Sequence, residues 1–218
     1  MERYVLHAEK EIVEDTFEVT SSSDSLYDAS YNIFPGSPMP IVFHNSSKRI
    51  IKSAVWGVDK DGDTISNIKK QEVESEQFKE SDLSPCIIPA SGFYLWKQSV
   101  DDTYPFYIRM LGREVLGLAG LYRELTDTNG KTSLEFAVIT KESNVLLQPL
   151  EPTMPCILDT ENFEQWIKGY EKDVLRSKFK DDQLIPDLAM YRVPELVNDL
   201  SENSSDLIQA IPKLRDTE

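Results

Sequence analysis

Apolar residues along this chain come in short runs, not in long helical stripes. Residues 86–90, 92–98, 105–110, 114–122 and 133–141 are rich in Ile, Val, Phe, Tyr and Leu, and turn signals such as Asp101-Asp102 and Asn129-Gly130 separate them. β-Branched and aromatic side chains fit a pleated, half-buried surface, so these segments are expected to be strands of an antiparallel meander. Further strands are expected at 4–7, 40–44, 49–57 and 190–193. In Phe93-Tyr94-Leu95-Trp96 alternate residues share a face, so Tyr94 and Trp96 point one way and Phe93 and Leu95 the other.

Helical spacing is rarer. Ile12, Val13 and Phe17 predict a helix over 8–17. Phe163, Trp166, Ile167 and Tyr170 predict another, N-capped by Thr160 and reaching about Lys180. A weaker helix is expected over 67–80. Thr20 to Asp28 reads as a polar loop, and 31–40, with Pro35, Pro38 and Pro40, as a rigid extended segment. No internal repeat and no Gly/Ser linker interrupts the pattern. The expectation is one α+β domain over residues 1–218, with a β-rich core, peripheral helices and a flexible tail from about 212.

Composition narrows the function classes. The chain has 218 residues, 40% of them apolar, enough to bury a core. Its 38 acidic and 23 basic residues leave a net charge of −15, which disfavours broad capture of nucleic acid because phosphate repels a carboxylate-rich surface. A small basic groove remains compatible with that charge. No apolar run is long enough to cross a bilayer, and the start, Met1-Glu2-Arg3-Tyr4-Val5-Leu6, lacks the pattern of a signal peptide, so a cytoplasmic protein with no membrane partner is expected. Cys86 and Cys156 lie in apolar stretches and read as buried core thiols. They and the two histidines, His7 and His44, match no zinc spacing, and Asp59-Lys60-Asp61-Gly62-Asp63 lacks the later glutamate of a calcium loop. No metal and no cofactor is expected.

A colinear series of motifs resembles the SOS-response-associated peptidase (SRAP) family of abasic-site processing proteins. Arg3-Tyr4-Val5-Leu6 is similar to the end of the family's Met-Cys-Gly-Arg-Tyr/Phe opening, and Tyr31-Asn32-Ile33-Phe34-Pro35 to its Tyr-Asn-(Ile/Val)-Ala-Pro segment. Val55-Trp56-Gly57-Val58 matches a Trp-Gly element, and Asn67 falls on the asparagine of an Asn-Ala-Arg motif. Cys86 through Trp96, CIIPASGFYLW, resembles Cys-Leu-(Val/Ile)-Pro-Ala-Asp-Gly-Phe-Tyr-Glu-Trp. Ala119-Gly120-Leu121-Tyr122, Val138-Ile139-Thr140 with Asn144, and Met154-Pro155-Cys156-Ile157-Leu158 continue the series in order. The resemblance implies an SRAP-like fold with a barrel-like, mostly antiparallel core. It also implies a DNA-damage (SOS) context and recognition of single-stranded, abasic DNA.

In that family an N-terminal cysteine, exposed by removal of Met1, attacks the aldehyde of an abasic site and closes a thiazolidine. A glutamate and a histidine assist the proton transfers. Here residue 2 is Glu2, one residue is missing before Arg3, the glutamate position is Leu95, and the histidine position is Glu151. Only Asn67 survives. The resemblance therefore implies a pseudoenzyme that has lost crosslinking and autoproteolysis, with family catalytic positions on Glu2, Asn67, Leu95 and Glu151.

DNA-binding candidates are Arg3, Asn32, Trp56, Asn67 and Lys69. Each has a plainer reading: Asn67 as the N-cap of a helix over 68–80, Trp56 as core, Arg3 and Lys69 as surface charge, Glu2 and Glu151 as solvated carboxylates. The candidate partners are single-stranded DNA through a small local patch, or a protein bound by a non-catalytic interaction module on the same fold. A third reading, a hydrolase working through Glu2 and Glu151, lacks an activated nucleophile.

Overall fold

The structure is a computed structural model that describes residues 1–20, 24–45, 48–60, 62–75, 81–100, 102–169 and 187–212. The strands in chain order begin with β1 (Tyr4–Leu6), β2 (Ser30–Ile33), β3 (Pro38–Asn45), β4 (Lys48–Trp56) and β5 (Val58–Lys60). Next come β6 (Asp63–Ile65), β7 (Asn67–Lys69), β8 (Ser84–Ala90), β9 (Gly92–Gln98) and β10 (Thr103–Met110). The last are β11 (Leu116–Thr126), β12 (Thr132–Glu142), β13 (Thr153–Pro155), β14 (Ile157–Leu158) and β15 (Leu188–Arg192). Among the described residues three α-helices accompany them: α1 (Lys10–Phe17), α2 (Lys70–Val73) and α3 (Phe163–Lys168).

β12, β4, β3, β8 and β11 pair in that order, and β11 pairs back onto β12, closing a barrel. Closure removes the edges that an open sheet would expose. All these contacts are antiparallel except β12 with β4, which is parallel through Glu135↔Val55 and Phe136↔Trp56. Trp56, Ile41, Ile87, Ile88, Leu118 and Phe136 are fully buried in this core. The second sheet runs β15-β10-β9-β1-β2.

The strand pattern expected from the sequence is present, but it divides between two sheets. β8 belongs to the barrel and β9 to the second sheet, and the break falls at Ser91. A side chain on Gly92 would meet the Ile108 carbonyl and the Tyr107 hydroxyl at 2.5 Å, so only glycine permits this close crossing. The alternation in Phe93-Tyr94-Leu95-Trp96 holds. Phe93 and Leu95 face the main core. Tyr94 and Trp96 join Tyr107 on the other face, beneath Val193, Val197 and Leu207 of the C-terminal segment. Burying such a Val or Leu contributes roughly 1.5–3 kcal/mol, which holds that segment down.

Residues 67–80 differ from expectation. Asn67 starts a strand, not a helix, and pairs in parallel with β12 through Val138↔Asn67, Ile139↔Ile68 and Thr140↔Lys69. The barrel edge of β12 beyond its contact with β4 offers unpaired backbone groups, and docking there buries Ile68. Among the described residues of this stretch the single turn of α2 is the helical part, and residues 76–80 lie outside the described ones. The late helix is also modified. A 3-10 turn over Thr160–Asn162 precedes α3, and no side chain caps either. Phe163, Trp166 and Ile167 are buried as the spacing predicts. The stretch from Tyr170 to Lys180, and the tail after 212, lie outside the described residues. Cys86 and Cys156 are buried and are not joined in a disulfide.

Candidate functional site

β1 lies between β2 and β9, with Tyr4 opposite both Ile33 and Phe93. This fixes where the three residues before it go. Met1 is buried, only 6% exposed, and its carbonyl accepts a hydrogen bond from Asn67 Nδ2 at 2.8 Å. Asn67 is placed for this by the parallel docking of β7 on β12. Its Oδ1 is buried without a partner.

Glu151 closes the site from the loop after β12. Asn144 shapes that loop: its Oδ1 accepts from the backbone N–H groups of Leu146 and Leu147. The carboxylate of Glu151 accepts from the backbone N–H of Trp96 at 3.1 Å. Burial pushes the Glu151 carboxyl above its usual range, and the charge of Glu2 adds to this, while the Trp96 N–H and the Met1 amine work the other way. The α-amine of Met1 is held below its ordinary value by burial, opposed by the carboxylates of Glu151 and Glu2. Glu2, Glu151 and the amine thus share one electrostatic environment.

The Arg3 guanidinium lies 5.7 Å from the Phe34 ring centre and 6.0 Å from that of Trp96. Its Nη1 donates to the Glu2 carbonyl, and its Nε is buried without a partner. Lys69 is exposed and shares a strand face with Asn67.

The structure therefore brings Glu2, Arg3, Asn67 and Glu151 together around Met1. The other candidates make different contacts. Leu95 is fully buried in the main core. Trp56 is fully buried, stacked on Phe136, edge-on to Tyr4, and donates its indole N–H to the Ser66 carbonyl. The Asn32 amide donates to the carbonyls of Val197, Asp199 and Glu202, tying β2 to the C-terminal segment.

Two participants escaped the sequence reading. The Trp96 contact is made by a backbone N–H, which no side-chain pattern reveals. Phe34, the ring under Arg3, stands where the family segment has alanine, and that departure was the available signal. Among the described residues no cluster of His, Cys, Asp and Glu could hold a metal ion, and no helix is long and apolar enough to cross a membrane.

Comparison with known proteins decides the family. The model of the SOS response associated peptidase (SRAP) family matches residues 2–200. The chain belongs to the SRAP family. It is 27% identical to the abasic site processing protein YoqW of Bacillus subtilis (strain 168), across 95% of this chain and 98% of that protein. It is 24% identical to the abasic site processing protein HMCES of Xenopus tropicalis, across 85% of this chain and 67% of that protein. Among solved structures, a protein from Bacteroides thetaiotaomicron superposes with a TM-score of 0.80 at 20% identity, covering 97% of this chain and all of the other. That likeness concerns the SRAP fold.

The electrostatics of this SRAP site carry a pH prediction. Because the Glu151 carboxyl is raised on folding, the folded chain keeps that proton to higher pH than the unfolded chain does. Stability from this group is then lost as pH rises from the ordinary carboxylate range through the raised value. Glu151→Gln keeps an acceptor for the Trp96 N–H and removes the charge. Its thermal midpoint is expected to exceed that of the parent at pH 7 and to converge with it at pH 4. A lower midpoint at pH 7 contradicts the assignment.

Proposed function

We propose that this chain acts in the handling of DNA damage, recognising abasic single-stranded DNA without forming a thiazolidine. The family match and the names of the relatives support the context. The observation that carries the rest is the buried Met1, its carbonyl on Asn67 and Glu2 next in the chain. A thiazolidine needs an amine and a thiol on one residue at the chain start. Cys86 and Cys156 are both buried, and burial pushes the Cys86 thiol well above its usual value. A protonated thiol walled in by core residues is a poor nucleophile.

What remains suits recognition. Arg3 offers guanidinium N–H groups from an aromatic platform, and Lys69 adds a second cation beside Asn67; both suit phosphate oxygens. An abasic sugar presents hydroxyl groups where an intact nucleotide presents a base, and the Glu151 and Glu2 carboxyl groups are acceptors for them. With a net charge of −15, DNA binding is confined to this patch.

The test is fluorescence anisotropy with two matched oligonucleotides, one carrying an abasic site, over a range of salt. The abasic strand is expected to bind more tightly, with affinity falling steeply as salt rises. Equal binding of the two strands, or none at low salt, contradicts the reading.

A further inference from the structure

The second sheet packs one face on the main core, and that cover stops before the sheet does. Cross-strand partners share a face, as do residues two apart on one strand. On this face Leu95 of β9 is fully buried and lies opposite Phe106 of β10, which in turn lies opposite Arg192 of β15. Phe106 and Met190 are only partly buried. One step further out Lys97 lies opposite Tyr104. Lys97 is exposed, Tyr104 is half-buried, and the Arg192 side chain is 41% exposed.

The Arg192 guanidinium lies over the Tyr104 ring, 3.9 Å from its centre. It also donates to Glu195 at 3.1 Å, an exposed pair that water and salt weaken. A guanidinium carries five N–H donors, so some remain for a second acceptor. Among the described residues no ion pair holds Lys97. This row adjoins the site around Met1. The Trp96 N–H that binds Glu151 immediately precedes Lys97 on β9, and Met1 and Leu150 belong to the same main core as Leu95. Neighbouring strands are about 5 Å apart, so the row from β9 to β15 spans about 10 Å. In a chain of net charge −15, two cations beside an aromatic ring form a local exception. A single strand matches it, with an anionic backbone and bases that each offer a π face.

We propose, on the reading that the site takes abasic single-stranded DNA, that its binding patch continues over Lys97, Tyr104 and Arg192, and that this row holds the nucleotides on one side of the abasic position. Lys97 and Arg192 take phosphate oxygens, and a base stacks on the Tyr104–Arg192 pair. The contact is indifferent to base identity, because stacking needs only the π face. The flank on the other side of the abasic position does not reach this row.

The test is fluorescence anisotropy with two oligonucleotides of equal length, one with all its nucleotides 5′ of a terminal abasic site and one with all of them 3′, beside an intact strand. One abasic strand is expected to bind the parent chain more tightly than the other. Tyr104→Ala should weaken that strand about fivefold, and Lys97→Ala about threefold with a salt slope shallower by about 0.7. Neither should change the other strand. Tyr104→Phe keeps the ring and should keep the parent's affinity. Lys131→Ala, in the turn before the opposite end of β12, is the charge control and should bind as the parent does. Lys97→Ala removes an exposed side chain, so its result stands even where Tyr104→Ala loses stability. Parental binding of both abasic strands by Lys97→Ala and Tyr104→Ala, or an equal loss on both strands, overturns the extended patch alone. A parent chain that does not prefer abasic over intact DNA overturns the underlying reading and the extended patch with it.

Discussion

Trp56→Ala is expected to cost about 3–5 kcal/mol, much of a typical domain's stability, and to strip the chain of soluble yield. The side chain is fully buried and fills the space between Tyr4, on β1, and Phe136, on the barrel strand β12. Truncation leaves a large cavity where the second sheet meets the barrel. It also leaves the Ser66 carbonyl without its indole donor. Trp56→Phe separates these effects, since it keeps most of the volume and loses the hydrogen bond, for about 1 kcal/mol beyond the packing change. Denaturant unfolding measures both. If Trp56 instead served as a base-stacking platform, Trp56→Phe would weaken single-stranded DNA binding at unchanged stability. The geometry predicts the reverse: lower stability, unchanged binding.

Arg3→Ala is expected to give the largest effect on DNA binding, about 1.5 kcal/mol or roughly tenfold in Kd, because one charge-assisted contact to phosphate is lost. The slope of log affinity against log salt should become shallower by about 0.7, the value for one released counterion on a single strand. Arg3→Lys sharpens the test. It keeps the charge and therefore the slope, but loses the planar group that lies over Phe34 and Trp96. The account predicts an intermediate affinity with the parent's salt slope. An unchanged Kd in Arg3→Ala would move the phosphate contacts elsewhere. Lys69→Ala, on an exposed and unanchored side chain, should show a smaller loss of the same kind.

Much of this architecture was legible because it is local. The runs at 86–90, 92–98, 105–110 and 133–141 declare themselves as strands through β-branched and aromatic residues. The opposite facing of Tyr94 and Leu95 follows from the two-residue period alone, and the structure places one under the C-terminal segment and the other in the main core. Motif order then carried the family. What escaped is non-local. Asn67 reads equally well as a helix cap until the edge of β12, seventy residues on, is known to be waiting for Ile68. Nothing in the residues around Ser91 shows that the chain leaves one sheet for another there. The convergence of Met1, Asn67, Glu151 and the Trp96 N–H joins four distant segments, two of the contacts passing through backbone groups.

The most direct test of the central claim uses a denaturing gel. The purified protein is incubated with single-stranded DNA carrying one abasic site, then heated in detergent. With Met1-Glu2 where an aminothiol would stand, the account predicts that protein and DNA migrate separately. A heat-stable protein–DNA band, with no reductant added, would contradict it.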